Sequence, residues 1–314
     1  MTLLKYVNWN ITNKCNLRCI HCAYSSGRKM LGELTTSEVK DIINQLAKMK
    51  CKLIGFSGGE PLIRDDIFEL FKYVKERKIK IFLLTNGTLI TKSNIDLIKN
   101  YVDRVNVSIS GLTKETNDFI RGNGSFNSAI RTINLCKKNQ IPVGVFFTVC
   151  KTNLSQVKRL FDFSIKYDID AIKISPITMC GRALIHSKKL NITSKELESV
   201  YKELINKLTK FYNVKPYYGD WCNAGLDNLF FDPVGNIFPC ADPLSFTKPI
   251  GNLRKTNIEN IWKNSPILEK IRIEREKLGK IPCMYKYIVI KKFDIVKFSG
   301  NLCYFKKSVF KNST

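Results

Sequence analysis

The stretch YVNWNITNKCNLRCIHC, residues 6–22, runs from an alternating apolar segment into three cysteines, Cys15, Cys19 and Cys22, within eight positions. Alternation over Tyr6–Ile11 predicts a β-strand, so the cysteines belong to the loop at its carboxyl end. Further β-type runs follow at Leu53–Phe56, Ile81–Leu84, Arg104–Ile109, Val143–Val149 and Ala171–Ser175. Amphipathic helical patterns lie between them. The first opens on Thr35 with Glu38 three positions later, a capping-box pair. In the second, Ile67, Leu70, Phe71 and Val74 share one face.

Six β-to-α units in series predict an α/β fold with a parallel sheet and right-handed crossovers. Eight units close a full barrel. Six suggest a partial (β/α)6 TIM-like barrel, with an open doubly wound sheet as the alternative. In both, ligands bind at the carboxyl ends of the strands. Unusual polar and glycine-rich stretches fall there: the cysteine loop, SGGEP (57–61), TNG (85–87), SISG (108–111), CKTN (150–153) and SPITMCGRA (175–183). A long helix over Ser194–Tyr212 closes this region. Pro216 and Gly219 then mark a boundary, which divides the chain into a core, 1–213, and a C-terminal domain, 214–314.

The eleven cysteines are odd in number and scattered through helical and strand-like segments, which is not the pattern of a disulfide scaffold. The N-terminus lacks the form of a signal peptide, and no run reaches the roughly 18 apolar residues of a membrane span. A cytoplasmic, reducing compartment follows, where clustered cysteines bind metal or do chemistry. The net charge of +25 invites a polyanionic partner. However, the 52 basic residues are 40 Lys and 12 Arg, spread along nearly every helix. Phosphate-reading sites favour arginine forks, so this charge reads as a solvated surface rather than a nucleic-acid site.

Thiolates are soft ligands suited to zinc or iron-sulfur clusters. A structural zinc site wants a fourth Cys or His at matching spacing, and His21, adjacent to Cys22, is poorly disposed to share one ion. Three thiolates on a four-iron cluster leave one iron open to a chelating ligand. CNLRCIHC (15–22) resembles the CxxxCxxC loop of radical S-adenosylmethionine (radical SAM) enzymes, and GGEP (58–61) resembles their glycine-rich motif. The resemblance implies that Cys15, Cys19 and Cys22 hold a 4Fe-4S cluster whose fourth iron is chelated by S-adenosylmethionine. Reductive cleavage of that cofactor then gives a 5'-deoxyadenosyl radical that abstracts hydrogen from a substrate. It also implies cofactor contacts at Gly58, Gly59, Glu60 and Pro61, where glycines admit the backbone and the Glu60 side chain or nearby carbonyls accept from the ammonium group. His21 takes the usually aromatic position beside the adenine.

The segment VSISGLTKETNDFIRG (107–122) is similar to one in peptide-modifying members, which makes Ser108 and Arg121 partners for the methionine carboxylate. Ser110 stands where those relatives carry Asp. Thr85 and Asn86 are further candidates, weighed against a loop-capping role. Cys51, Cys136 and Cys150 are expected to pack in the interior.

CNAGLDNLFFDPVGNIFPC (222–240), with IGNLRKTNIENIW (250–262), resembles the opening of the SPASM extension, which carries auxiliary iron-sulfur clusters. The usual dense cysteine array then breaks off, because Cys283 is followed by Met284, Tyr285 and Lys286, and the next cysteine is Cys303. Three readings stay open: one auxiliary cluster on Cys222, Cys240, Cys283 and Cys303, a degenerate SPASM or twitch-like fold without one, or a zinc site. The resemblance implies an external electron donor such as flavodoxin or ferredoxin, and a peptide or small-molecule substrate. A ribosomally made peptide stands first and a tetrapyrrole or other cofactor precursor second. The rival of another class is a zinc-bearing nucleic-acid-binding module.

Overall fold

The computed structural model describes residues 3–212, 216–218, 224–241, 248–278, 288–291 and 295–297. The core alternates β1 (Tyr6–Thr12), α1 (Thr36–Lys48), β2 (Leu53–Gly58), α2 (Ile67–Glu76), β3 (Lys80–Thr85), α3 (Ile95–Tyr101), β4 (Arg104–Ile109), α4 (Lys114–Arg121), α5 (Ser125–Lys138), β5 (Val143–Val149), α6 (Leu160–Lys166) and β6 (Ala171–Pro176). Each predicted strand is present, extended by at most two residues. Strands β1 to β6 pair in sequence order, all parallel.

Local chemistry accounts for the helices. Thr35 caps α1, accepting from the Glu38 N–H, while the Glu38 carboxylate accepts from the Thr35 N–H, as the capping-box spacing predicts. Ile67, Leu70, Phe71 and Val74 of α2 are buried against the sheet. Each such side chain contributes about 1.5–3 kcal/mol on leaving water. Cys51, Cys136 and Cys150 are buried, as expected. Burial pushes the Cys136 thiol up to about 12 and that of Cys51 to about 11.

After β6 come two single-turn helices, α7 (Arg182–Ile185) and α8 (Ser187–Leu190), and then the long α9 (Ser194–Tyr212) and β7 (Pro216–Tyr218). The rest comprises β8 (Asn228–Phe231), β9 (Asn236–Phe238), β10 (Gly251–Asn252), α10 (Ile258–Asn264), α11 (Pro266–Leu278), β11 (Ile288–Lys291) and β12 (Ile295–Lys297). Among the described residues the sheet runs β10-β9-β8-β1-β2-β3-β4-β5-β6-β11-β12-β7. It is therefore an open, partial barrel and not a closed one.

The sheet does not stop where the composition changes. β8 adds to β1 in parallel, Tyr6 opposite Asn228 and Trp9 opposite Phe231. Trp9 meets Phe231 edge-on at 5.5 Å and stacks on Phe56 at 6.1 Å, and Phe56 meets Phe71 at 5.3 Å. This row of rings ties three neighbouring strands to α2, each pair adding about 0.5–1.5 kcal/mol beyond burial. The β8–β9 turn is held by Asp232, which accepts from the N–H groups of Val234 and Asn236, with Gly235 at φ +87°.

Arg254 fastens the same segment from outside. It donates from Nε and Nη2 to the two Glu38 carboxylate oxygens and from Nη1 to the Gly32 carbonyl at 2.9 Å. The Arg254 hydrogen bonds hold the Glu38 carboxyl well below its usual range, at about 2. Arg254→Ala should cost about 1 kcal/mol, because the pair is partly exposed. Glu38 has its pKa depressed on folding, so its stabilisation is present above about pH 4.5 and is lost as pH falls toward 2. Thermal unfolding of wild type and Glu38→Gln across that range should show the difference in Tm shrinking with acid.

Candidate active site

Beyond Thr12 the chain enters a loop, residues 13–34, that must satisfy its own backbone. The Glu33 carboxylate, 7% exposed, accepts from the Asn13 N–H and Thr12 hydroxyl at 2.8 Å and from the Met30 N–H at 2.9 Å. Cys15 N–H donates to the Gly27 carbonyl (2.9 Å) and Gly27 N–H to the Asn13 carbonyl (2.8 Å), closing the loop into a ring. From neighbouring elements, Ile20 N–H donates to the Ile120 carbonyl. Arg182 donates to the carbonyls of Cys19 and Ser26.

Cys15, Cys19 and Cys22 thereby line one cavity of about 120 Å3 at the carboxyl ends of the core strands. Burial chiefly raises the Cys15 thiol above its ordinary pKa. Cys15 Sγ accepts from the Leu17 N–H and Cys22 Sγ from the Ser26 N–H, both at 3.4 Å, and the Cys19 thiol donates to the Arg121 carbonyl. Among the described residues no three His, Cys, Asp or Glu side chains are close enough to share a single metal ion.

The opposite wall is glycine. A Cβ on Gly58, at φ +132°, would stand 2.3 Å from the Thr12 carbonyl oxygen, and one on Gly59 would stand 2.2 Å from that of Lys14. Both glycines line the cavity, with Thr85, Asn86 and Ser108. Asn86 Nδ2 donates to Asn16 Oδ1 at 2.9 Å and faces Cys15 Sγ at 4.0 Å, so it both shapes the loop and borders the site.

Glu60 departs from expectation. Its side chain is fully buried and turned away from the cavity, accepting from the Thr85 hydroxyl (2.9 Å), the Asn86 N–H (2.8 Å) and the Leu62 N–H (3.3 Å). Desolvation outweighs these bonds and raises its carboxyl to about 7. Its carboxyl pins the end of β3 beneath the glycines. Pro61 is buried as the first residue of a 3-10 turn and also stays off the cavity wall.

His21, Ser110 and Arg121 form a row. Arg121 Nη1 donates to Ser110 Oγ at 3.3 Å, and Ser110 Oγ lies 3.5 Å from His21 Nε2. The guanidinium only donates, so Ser110 Oγ accepts from Arg121, and its role toward His21 Nε2 follows the imidazole tautomer. Burial, then the Arg121 charge, push His21 down to about 3, so the ring is neutral. His21 Nδ1, Arg121 Nε and Ser26 Oγ are all buried without a partner in the protein. Among the described residues no carboxylate forms an ion pair with Arg121, whose Nη1 donates to Ser110 instead. Three soft thiols, unsatisfied donors and a side-chain-free wall fit a metal cluster together with a hydrogen-bonding cofactor that carries a carboxylate.

Arg182 was not singled out from sequence, although its stretch was noted on the rim. It too lines the cavity. Cys240 follows β9 directly, and beside it the Tyr24 hydroxyl donates to the Ala241 carbonyl while the Tyr24 ring stacks on Phe230 at 6.0 Å. Cys222, Cys283 and Cys303 lie outside the described residues.

A family model of the radical SAM superfamily matches residues 9–164, and one of the SPASM iron-sulfur cluster-binding domain matches 222–286. The chain is 31% identical over 283 residues to mycofactocin maturase MftC of Mycobacterium tuberculosis, spanning 85% of this chain and 72% of the relative. It is 29% identical over 318 residues to AdoMet-dependent heme synthase of Methanosarcina barkeri, spanning 90% and 89%. Among solved structures, Streptococcus suis SuiB bound to S-adenosylmethionine shares the fold at TM-score 0.71 and 19% identity, over 86% of this chain and 68% of that one. SuiB bound to the precursor peptide SuiA gives TM-score 0.72 at 18% identity, over 87% and 67%.

The chain belongs to the radical SAM superfamily, in its SPASM-domain subgroup. It is thus an enzyme whose cofactors are a 4Fe-4S cluster and S-adenosylmethionine, with an iron-sulfur cluster-binding C-terminal domain. The reading as a zinc-bearing nucleic-acid module falls with that membership. Gly58→Ala and Gly59→Ala should each displace the loop carbonyls they face. Iron retained at the loop after anaerobic reconstitution should fall to the level of a cysteine-deleted variant, measured by iron analysis and visible absorption.

Proposed function

We propose that this enzyme modifies a ribosomally made peptide, with residues 1–213 as the radical SAM core and 214–314 as the SPASM-like domain. The observation that carries the site assignment is one cavity bearing three thiols, two glycines without room for a Cβ and the unanswered Arg121 guanidinium. Cys15, Cys19 and Cys22 would hold the cluster by three corners. Arg121 and Ser108 would take the methionine carboxylate, the arginine by its charge. Gly58 and Gly59 would let backbone carbonyls reach the ammonium, and His21, Thr85 and Asn86 would border the nucleoside. When bound, cluster and cofactor supply a reductively generated 5'-deoxyadenosyl radical for hydrogen abstraction. The protein's own part is to orient them and exclude water, which the closed ring of residues 13–34 and the buried Glu60 support.

Peptide as substrate is supported by the maturase relative, MftC, and by the likeness to the SuiB complex with its precursor peptide. Tetrapyrrole chemistry is the second reading, favoured by the near-complete overlap with the heme synthase. We further assign Cys222, Cys240, Cys283 and Cys303 as candidate ligands of one auxiliary cluster. The electron donor is inferred to be an external one-electron carrier such as flavodoxin or ferredoxin. A reducing, cytoplasmic setting is supported by six cysteines, Cys15, Cys19, Cys22, Cys51, Cys136 and Cys150, that form no disulfide. No helix among the described residues is long and apolar enough to cross a membrane.

Anaerobically reconstituted protein with S-adenosylmethionine and dithionite should release 5'-deoxyadenosine, and Cys19→Ala should release none above background. Adding a peptide encoded beside the gene should raise release and leave a mass change on that peptide. Stimulation by an iron-coproporphyrin instead, with product formed from it, would select the second reading.

A further inference from the structure

Arg182 holds an unusual position for a cation. It begins α7 directly after Gly181, which at φ +55° passes so close to the cysteine loop that a Cβ would stand 2.5 Å from the Ala23 carbonyl oxygen and 2.7 Å from that of Cys22. Only glycine brings the next residue this near. From there Arg182 grips three carbonyls of the loop: Nε–H donates to Cys19 at 2.8 Å, Nη1–H to Ser26 at 2.9 Å, and the backbone N–H to Cys22 at 3.0 Å. Two of these belong to candidate cluster ligands. The guanidinium also borders the thiol-lined cavity, and no carboxylate among the described residues pairs with it.

A carbonyl clamp alone could be neutral, whereas a permanently charged one next to three thiolates carries an electrostatic consequence. An arginine stays protonated at every relevant pH. A cluster gains one negative charge on one-electron reduction, and fixed charges near it shift its potential. A cation on the cavity wall favours the reduced form, by an attraction that burial strengthens.

We propose that Arg182 is a positioning residue that holds the cysteine loop by its carbonyls and, through its fixed charge, raises the reduction potential of the cluster on Cys15, Cys19 and Cys22. This rests on the cluster assignment made above. The step concerned is a single electron passed from an external donor to the cluster, with no bond formed or broken in the protein.

Wild type, Arg182→Gln, Arg182→Lys and Cys19→Ala are reconstituted anaerobically, assayed for iron and sulfide, and titrated with dithionite while the reduced-cluster electron paramagnetic resonance signal is followed. Signal absent from Cys19→Ala is taken as that of the loop. Arg182→Gln is expected to retain a cluster whose reduction equilibrium constant is at least tenfold smaller, a shift of 59 mV to more negative potential for one electron. Arg182→Lys, which keeps the charge but not the fork, should recover most of that shift. An unchanged potential in Arg182→Gln overturns the proposal, as does a lysine variant displaced as far as glutamine. Loss of the cluster from both variants also overturns it, leaving Arg182 a scaffold only. A wild type with no signal beyond that of Cys19→Ala fails at the earlier step, the cluster assignment, and is told apart by that comparison.

Discussion

Everything chemical in this molecule depends on the closure of residues 13–34. A loop of that length projecting three thiols inward has many backbone groups to satisfy, and an unpaired buried amide costs as much as the contacts that would gather the cysteines. Glu33 answers the problem from inside, binding both ends of the loop with one carboxylate. The exchange between Asn13, Cys15 and Gly27 draws the ends together. Arg182, which opens α7, and Ile120, in the last turn of α4, then hold the middle, and the three cysteines line one cavity.

That arrangement explains the distribution of charge around the cavity. Glu60 is buried behind the wall, where three donors bind its carboxyl. Beside the thiols, the cavity is lined by two cations, Arg121 and Arg182, and by the His21 ring, whose Nδ1 has no partner in the protein. A site that gathers three thiolates and one carboxylate should be arranged this way, since like charges buried together would cost several kcal/mol.

The C-terminal segment is bound to the core by backbone as well as side chains. By extending the core sheet at β1, β8 brings Phe231 onto Trp9 and carries Cys240 to the neighbourhood of Tyr24, two residues beyond Cys22. The cysteine loop thus leaves the carboxyl end of the same strand along whose edge the C-terminal segment pairs. Relatives of this chain include a peptide maturase and a heme synthase, so one frame serves different substrates.

Much of this was legible in the chain alone. Six strands were readable as β-type runs, the capping box from two residues, and the cysteine loop from a spacing that, joined to GGEP after the next strand, resembles a cluster-binding loop. These are local signals, carried by residues near one another. The role of Glu60 was not legible, since a carboxylate beside two glycines reads as a ligand until β3 is seen to supply its donors. Nor was Arg182, whose partners lie more than 150 positions earlier. Nor was the joining of β8 to β1, which pairs residues some 220 apart. Periodicity and spacing report what a segment prefers; which carbonyls a buried charge will meet is decided when distant segments close on one another, because only then is water removed and each polar group obliged to find its partner.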